Sequence, residues 1–91
     1  MYYVYMLKND FDKLYVGITV NPRDRVYYHN THQGAQFTKG KAKFGLVFRE
    51  EYATLAEARR REIQIKKWRR DKKEALIERY RQGLSTNHGP V

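Results

Sequence analysis

Alternating apolar and polar positions near the start of the chain predict a β-hairpin. Residues 2–7 are rich in Tyr and Val, and residues 14–19 form a second such run after a polar, turn-prone stretch. Because strand side chains point alternately to opposite faces, Tyr15 and Gly17 share one face of the second strand. A register that pairs Tyr5 near Tyr15 would bring two phenols to the same face of the sheet.

The next element is predicted to be a helix that begins at the Asn21-Pro22 pair. Asn is a favoured helix cap, and Pro suits the first helical position, where its missing N–H costs nothing. The helix is expected to run to about His32 and to end before the following glycine. Arg25 and His29 are four residues apart, so their side chains would lie on one face of this helix.

A third strand is predicted at residues 44–52, which have an apolar centre. Residues 33–43 separate it from the helix and combine glycines with Lys and Thr, the composition of an exposed basic loop. Because a helix lies between this strand and the hairpin, the strand would join the same sheet by a crossover.

Two capping boxes predict the last two helices. Thr54 would cap the first helix, and Glu57 would reach back to the amide of Thr54. Asp71 and Glu74 repeat the same spacing and would open a final helix that runs through Tyr80.

The predicted order is β-β-α-β-α-α, an α/β (α+β) arrangement in which helices flank a three-stranded sheet. Residues 1–82 would form one small domain. Residues 83–91 are rich in Ser, Thr, Asn, Gly and Pro and have nothing apolar to pack, so a flexible C-terminal tail is expected.

Glu62 is an unusual acidic residue in the helix that follows the third predicted strand. At about 100° per residue, Ala58 and Ile65 lie to one side of Glu62 and Ile63 lies to the other, so its carboxylate points along the apolar stripe. A buried carboxylate is costly unless it is paired or binds a metal. This helix alone favours an ordinary ion pair of Glu62 with Arg59 or Lys66 at helical spacing.

Composition restricts the class of protein. A chain of 91 residues without cysteine has neither a disulfide framework nor a thiolate site. No apolar run approaches the roughly 20 residues that span a bilayer, and the N-terminus lacks the basic region of a signal peptide. A cytoplasmic protein with no membrane association is therefore expected. The formal net charge of +9 favours a polyanionic partner, most often nucleic acid.

The combination of these motifs resembles the GIY-YIG endonuclease superfamily, and most closely its small single-domain bacterial members, the YhbQ-like group. The triplets Tyr3-Val4-Tyr5 and Tyr15-Val16-Gly17 are followed, in the family's order, by Arg25, His29 and Glu62. The likeness covers residues 2–77. Tyr3 replaces the glycine that gives the first motif its name, and valines replace both isoleucines of the motifs.

The resemblance implies a three-stranded antiparallel sheet flanked by helices, with a phosphodiesterase site that uses a single divalent metal, Mg²⁺ or Mn²⁺. Tyr5 and Tyr15 match the motif tyrosines, Gly17 the tight backbone position, and Arg25 the catalytic arginine. Two further positions match the family: His29 corresponds to a site-lining residue and Glu62 to the metal-binding glutamate. Accessory contacts of some relatives are expected to be missing, because Ile18 stands where they carry lysine and Glu74 where they carry asparagine.

Each of these residues suits a step of phosphodiester hydrolysis. Glu62 would hold one hydrated metal ion, and Arg25 would bind phosphate oxygens through its fork of N–H donors. Tyr5 or Tyr15 would take a proton from water, which requires a nearby cation to lower the ordinary phenol pKa of about 10. The alternatives are an Arg25–Glu62 ion pair, tyrosines that merely pack in the sheet, and a structural His29.

Basic residues elsewhere would follow a nucleic-acid backbone without reading its sequence. The predicted binding residues are Lys39, Lys41, Arg59, Lys66, Lys67, Arg69 and Arg70, within a basic flank that also includes Arg60, Arg61, Lys72, Lys73 and Lys43. No sequence-reading motif is present. Larger nucleases of the superfamily use attached domains for targeting, so targeting here would fall to a protein partner.

The leading prediction is therefore a metal-dependent endonuclease acting on DNA in preference to RNA, selective for structure and not for sequence. The alternative is a non-catalytic nucleic-acid-binding or partner-docking module with the same fold. A third interpretation, a small ribosome-associated or RNA-binding protein, depends on charge alone.

Overall fold

The computed structural model describes residues 1–28 and 44–86, with side chains up to residue 25 in the first range. The helices and strands follow in the order β1 (Tyr2–Asn9), β2 (Leu14–Thr19), α1 (Pro22–Tyr28), β3 (Phe44–Tyr52), α2 (Leu55–Lys66) and α3 (Arg70–Arg81). The predicted order β-β-α-β-α-α is confirmed, and the second and third strands have the predicted bounds. The predicted end of the first helix, near residue 32, lies outside the described residues.

One antiparallel sheet is formed in the order β2-β1-β3, so the first strand of the chain is the central one. Tyr5 lies opposite Gly17 on β2 and opposite Arg49 on β3. β3 joins the free edge of β1 after α1, which confirms the crossover. A bulge between Met6 and Leu7 shifts the register with β3 by one residue.

The hairpin turn explains why β1 extends two residues beyond its predicted end. The side-chain oxygen of Asn9 accepts hydrogen bonds from the backbone N–H groups of Phe11 at 3.0 Å and Lys13 at 2.8 Å. The backbone N–H of Asn9 also donates to the carbonyl of Lys13 at 3.0 Å. Asp12 takes the left-handed conformation, with φ of 66°, which Asp tolerates better than most residues.

Helices α2 and α3 cover one face of the sheet and bury the main core. The fully buried centre contains Val4, Met6 and Phe48 from the strands, and Ile65 from α2. The remaining buried members of this cluster are Val16, Ala58, Leu76 and Ile77. Tyr5 and Leu7 are also almost completely buried, but they point to the opposite face of β1. No helix within residues 1–28 or 44–86 is long and apolar enough to cross a membrane.

Two of the predicted helix caps are present. The side-chain oxygen of Asn21 accepts from the N–H of Asp24 at 3.3 Å, and α1 begins at Pro22 as predicted. The hydroxyl of Thr54 accepts from the N–H of Glu57 at 3.2 Å. The Glu57 carboxylate accepts from the hydroxyl of Thr54 at 3.0 Å, where the prediction gave the Thr54 amide as its partner.

The second predicted capping box is wrong. Helix α3 begins at Arg70, and its cap residue makes no side-chain hydrogen bond to the helix. Asp71 accepts from the neighbouring N–H of Lys72, at 2.9 Å. Glu74 cannot serve the cap because two cations hold its carboxylate: Lys8 at 3.1 Å and Arg70 at 2.7 Å.

Arg61 was predicted to belong to the basic flank that would follow a nucleic-acid backbone, but its side chain is largely buried against a carboxylate. Its guanidinium forms a two-pronged ion pair with Glu50, at 2.9 Å and 3.1 Å. The exposed fraction is 13% for the Arg61 side chain and 3% for Glu50. The hydroxyl of Tyr52 donates a hydrogen bond to the Glu50 carboxylate at 2.8 Å. The guanidinium carbon of Arg61 lies 5.2 Å from the centre of the Trp68 ring. Glu50 faces the core because it lies two residues after the buried Phe48 on β3 and shares its face. A carboxylate buried in this way requires a charged partner.

The first residues of the predicted tail are hydrogen-bonded to the domain. Gly83 adopts φ of 77° after α3, and the N–H of Leu84 donates to the carbonyl of Arg79 at 2.9 Å, an arrangement that ends many helices. Arg61 donates to the carbonyl of Thr86 at 3.0 Å, and Arg79 to that of Ser85 at 2.8 Å. Residues 87–91 lie outside the described residues.

Candidate functional site

The two motif tyrosines lie on the same face of the sheet. Tyr15 is opposite Leu7 in the register, so its ring is diagonal to that of Tyr5. The ring centres are 6.1 Å apart and the planes are inclined by 32°. Tyr5 is 1% exposed, whereas Tyr15 is 41% exposed. The pair therefore consists of an interior phenol and a phenol that reaches solvent.

Gly17 leaves space for the Tyr5 ring. A Cβ atom at this position would lie 2.7 Å from the hydroxyl oxygen of Tyr5 and 2.9 Å from its Cζ. Both distances are shorter than any ordinary contact, so any residue with a side chain would displace the ring. Glycine is required here by the close approach of Tyr5, and its backbone has no positive φ.

The surroundings of Tyr5 hold its phenol in the protonated form. Burial is the largest cause that raises the pKa of Tyr5 well above its ordinary value. The nearby Tyr15, a hydrogen bond with it, and the charge of Glu62 raise the pKa further, while Arg25 opposes the rise. A lowered pKa was expected for a tyrosine that acts as a base, and Tyr5 does not have one.

The same interactions place Tyr15, Arg25 and Glu62 around Tyr5. Each of these three side chains lies close enough to act on the Tyr5 hydroxyl electrostatically. They come from β2, α1 and α2, so the fold brings together residues from widely separated parts of the chain. Arg25 follows the first turn of α1, where its N–H donates to the carbonyl of Asn21 at 3.2 Å.

Glu62 is a mostly buried carboxylate beside this cluster. Its side chain is 12% exposed, and its oxygen lies 3.1 Å from the ammonium of Lys66. The alternative ion pair at helical spacing is therefore present. Lys66 itself is 54% exposed, so solvent reaches the lysine side of the pair and weakens the attraction between the two charges.

A metal ion at Glu62 fits the residues present if the ion keeps most of its coordinated waters. No group of three or more His, Cys, Asp or Glu side chains within residues 1–28 and 44–86 is placed to hold a metal. A site built from Glu62 alone would suit Mg²⁺, which keeps several of its waters and is often bound through one or two carboxylates. It would not suit zinc, which takes three or four protein ligands.

The remaining predicted site residues differ in position. His29, Lys39 and Lys41 lie outside the described residues. Arg59, Lys67 and Arg69 are exposed, and Arg69 lies 3.8 Å from Asp71. Arg70 is half-exposed and pairs with Asp12 at 3.1 Å in addition to Glu74, so it is less available to a ligand than its sequence position indicates.

Arg49 was missed by sequence reasoning. It lies directly opposite Tyr5 in the sheet and is exposed on the same face, with its guanidinium 5.8 Å from the ring centre of Tyr3. The alternation of the third strand separates Arg49 from the buried Phe48, but the sequence gives no register between β1 and β3. The neighbourhood of Tyr5 could therefore not be inferred from the sequence.

Comparisons with known proteins identify the family. Residues 1–75 match the GIY-YIG catalytic domain. The UPF0213 protein SH2523 of Staphylococcus haemolyticus is 39% identical over 77 residues, covering 85% of this chain and 94% of that protein. A UPF0213 protein of Staphylococcus aureus is 41% identical over 76 residues, covering 84% of this chain and 93% of that protein.

A solved structure shares the fold. The solution NMR structure of the UPF0213 protein BH0048 from Bacillus halodurans is 34% identical and superposes with a TM-score of 0.56, covering 86% of this chain and 84% of that one. The GIY-YIG domain defines a nuclease superfamily, and the β-β-α-β-α-α order and the central tyrosine pair described above agree with it. This chain therefore belongs to the GIY-YIG family.

Proposed function

We propose that this protein is a metal-dependent endonuclease that hydrolyses phosphodiester bonds in DNA and selects its substrate by structure. The observation that carries the proposal is that Tyr15, Arg25 and Glu62 all act electrostatically on the buried hydroxyl of Tyr5. Membership of a nuclease superfamily supports the reaction class. The net charge of +9 supports a nucleic-acid substrate.

In this proposal the two tyrosines have different roles. Tyr5 stays protonated because burial and its neighbours raise its pKa, so it serves as a hydrogen-bond donor that orients Tyr15. Tyr15 is 41% exposed and reaches the solvent from which an attacking water would come. Tyr15 is accordingly the better candidate to accept the proton of that water.

Arg25 and Glu62 would act on the phosphate. The guanidinium of Arg25 offers paired N–H donors that match phosphate oxygens and stabilise the negative charge that grows during hydrolysis. Glu62 would hold a single Mg²⁺ or Mn²⁺ ion, which supplies Lewis-acid stabilisation of the phosphate and the leaving oxygen. Lys66 must release Glu62 for this to occur, and its half-exposed side chain has room to do so.

Selection by structure is supported by the character of the basic surface. Exposed arginines and lysines contact phosphates and fix the position of a substrate, but they carry no sequence information. Arg59, Lys67 and Arg69 are side chains of this kind on α2 and the turn that follows it. Nicked, branched and single-stranded DNA are therefore the substrates to examine first.

The test compares cleavage of these DNA substrates in Mg²⁺ or Mn²⁺ by wild type, Glu62→Gln, Arg25→Ala and Arg81→Gln. Arg81 is an exposed residue of α3 that pairs with Glu78, away from the tyrosine face, so its substitution is the control. We expect cleavage by wild type and Arg81→Gln only. Equal activity in all four proteins would refute the proposed site.

The second candidate function is a non-catalytic nucleic-acid-binding module. The Glu62–Lys66 ion pair favours it, because a carboxylate already neutralised by lysine has less affinity for a cation. This candidate predicts salt-dependent binding of DNA or RNA without cleavage in any divalent ion. Lys66→Gln discriminates between the two candidates because it frees the Glu62 carboxylate. A nuclease should then cleave DNA at lower metal concentrations, whereas a binding module should still show no cleavage.

A further inference from the structure

An open cleft lies on the sheet face that carries Tyr5, at the end nearer the N-terminus of β1. Its lining consists of Tyr3, Val20, Asn21, Pro22, Arg23 and Arg49. The volume is about 360 Å³, within the range of small-ligand pockets. Tyr3 shares a face with Tyr5 because they are two residues apart on one strand, and Arg49 lies across from Tyr5. The cleft therefore borders the candidate active site.

Two arginines give this cleft its charge. Arg23 and Arg49 are both exposed, and within residues 1–28 and 44–86 neither guanidinium forms an ion pair. The guanidinium carbon of Arg49 lies 5.8 Å from the centre of the Tyr3 ring, within the range of a cation–π contact. The acidic neighbour on this strand face is Glu51, which accepts a long hydrogen bond of 3.5 Å from the Tyr3 hydroxyl.

We propose that Arg49 and Arg23 form a second phosphate-binding subsite, which holds a backbone phosphate of the bound strand beside the phosphodiester to be cleaved. Two residues along β1 separate Tyr3 from Tyr5, a distance of about 7 Å. One strand rises about 3.4 Å per nucleotide along the helix axis, and its successive phosphates lie farther apart than this rise. The separation along β1 therefore allows phosphates close together on one strand to occupy the subsite and the scissile position. The identity of the ligand rests on the proposed function.

The first experiment measures binding without cleavage. Fluorescence anisotropy of a labelled branched DNA oligonucleotide in EDTA is compared for wild type, Arg49→Gln, Arg23→Gln and the control Arg81→Gln. Losing one phosphate contact should weaken binding about 3- to 10-fold and reduce the salt slope by about 1. Arg49→Lys should recover part of the loss because it keeps the charge. Unchanged binding by both Gln variants would overturn the subsite.

The second experiment changes the DNA first and tests a protein variant only at the end. Single phosphates of the same oligonucleotide are replaced one at a time by uncharged methylphosphonates, and the affinity of wild type is measured for each. We expect affinity to fall at several positions near the branch point, and we expect one of these positions to have no further effect in Arg49→Gln. Equal losses at every position, or additive losses in the variant, would contradict the proposal.

These outcomes separate the subsite from the proposed function. Binding in EDTA can be measured whether or not the protein cleaves DNA. If the protein does not cleave DNA, the binding assay still decides whether Arg23 and Arg49 contact a phosphate. Conversely, cleavage that depends on Glu62, together with equal affinity losses at every methylphosphonate position, would support the nuclease and contradict the subsite. Glu51→Gln gives a further check, since loss of its negative charge should tighten binding if phosphate enters this cleft.

Discussion

Replacement of Gly17 by alanine should destabilise the domain through a contact with one side chain. The added Cβ would lie 2.7 Å from the Tyr5 hydroxyl oxygen, and relief to the 3.4 Å of an ordinary contact requires a shift of about 0.7 Å. Tyr5 is 1% exposed and packed on all sides, so its ring has little room to move. Overpacking of this kind costs about 1–3 kcal/mol.

A smaller effect acts in the opposite direction. Gly→Ala restricts the unfolded chain and stabilises the folded state by about 0.4–1 kcal/mol where the backbone permits it. The expected net loss for Gly17→Ala is therefore about 1–2 kcal/mol. For a domain of this size that corresponds to a fall in Tm of roughly 4–16 °C, measured by circular dichroism during heating or by urea titration.

Gly45 provides the matched control. It also lies in a strand, but among the residues that the structure describes, its two chain neighbours aside, no atom lies within 4 Å of the position its Cβ would take. Gly45→Ala should therefore leave the free energy of unfolding unchanged or raise it by a few tenths of a kcal/mol. Tyr5→Phe combined with Gly17→Ala should recover part of the loss, since it removes the closest atom but leaves Cζ at 2.9 Å. If Gly17→Ala is as harmless as Gly45→Ala, the close approach of the Tyr5 ring is refuted.

Two further predictions concern charged groups. Arg61→Ala leaves Glu50 buried without its cation, which should lower the free energy of unfolding by about 3–5 kcal/mol. The control Arg60→Ala, at an exposed position, should stay within about 0.5 kcal/mol of wild type. Equal losses for the two variants in urea titration would contradict a stabilising role of the Arg61–Glu50 ion pair. Burial opposes the shift at Glu74, but hydrogen bonds from Arg70 and Lys8 outweigh it and lower the pKa of the carboxyl. A lowered pKa contributes stability above the unfolded value of about 4.3 that is lost as the pH falls through the folded value. Glu74→Gln should therefore flatten the decline in Tm below about pH 4.3, and an identical acid limb in wild type and variant would exclude Glu74 as a contributor.

The strands could be predicted from sequence because alternation and turn residues are local signals. The bounds of β2 and β3 follow directly from them. The cap at Thr54 was equally local, whereas the false cap at Asp71 was not: Glu74 is held by Lys8, 66 residues away in the chain. A capping pattern gives no information about cations that other elements bring to the same carboxylate.

Arg61 shows a signal that was present but was not used. It lies three residues after Ala58 and four before Ile65, both fully buried, so helical spacing places it beside the buried stripe. Glu62 lies on the other side of the same stripe by the same reasoning. The neighbouring arginines of α2 look alike in the sequence. The structure shows that Arg61 is the one that pairs with the buried Glu50 of β3.

The surroundings of Tyr5 required the structure. Sequence motifs placed Tyr5, Tyr15, Arg25 and Glu62 in a family order, but they gave neither the burial of Tyr5 nor the exposure of Tyr15. The different environments of the two phenols agree with their positions in the sheet, since Tyr5 lies on the central strand and Tyr15 on an edge strand. Assignment of different chemical roles to two apparently equivalent tyrosines depends on that information.

The most direct test of the proposed nuclease site is the single-turnover rate of DNA cleavage at saturating protein, compared between wild type and Glu62→Gln. Saturation removes differences in DNA binding, so the rate reports the chemical step alone. Loss of the carboxylate that would hold the metal should lower this rate by about 100-fold or more, with DNA affinity in EDTA unchanged. Equal rates for the two proteins, or no cleavage by wild type in Mg²⁺ or Mn²⁺, would contradict the account.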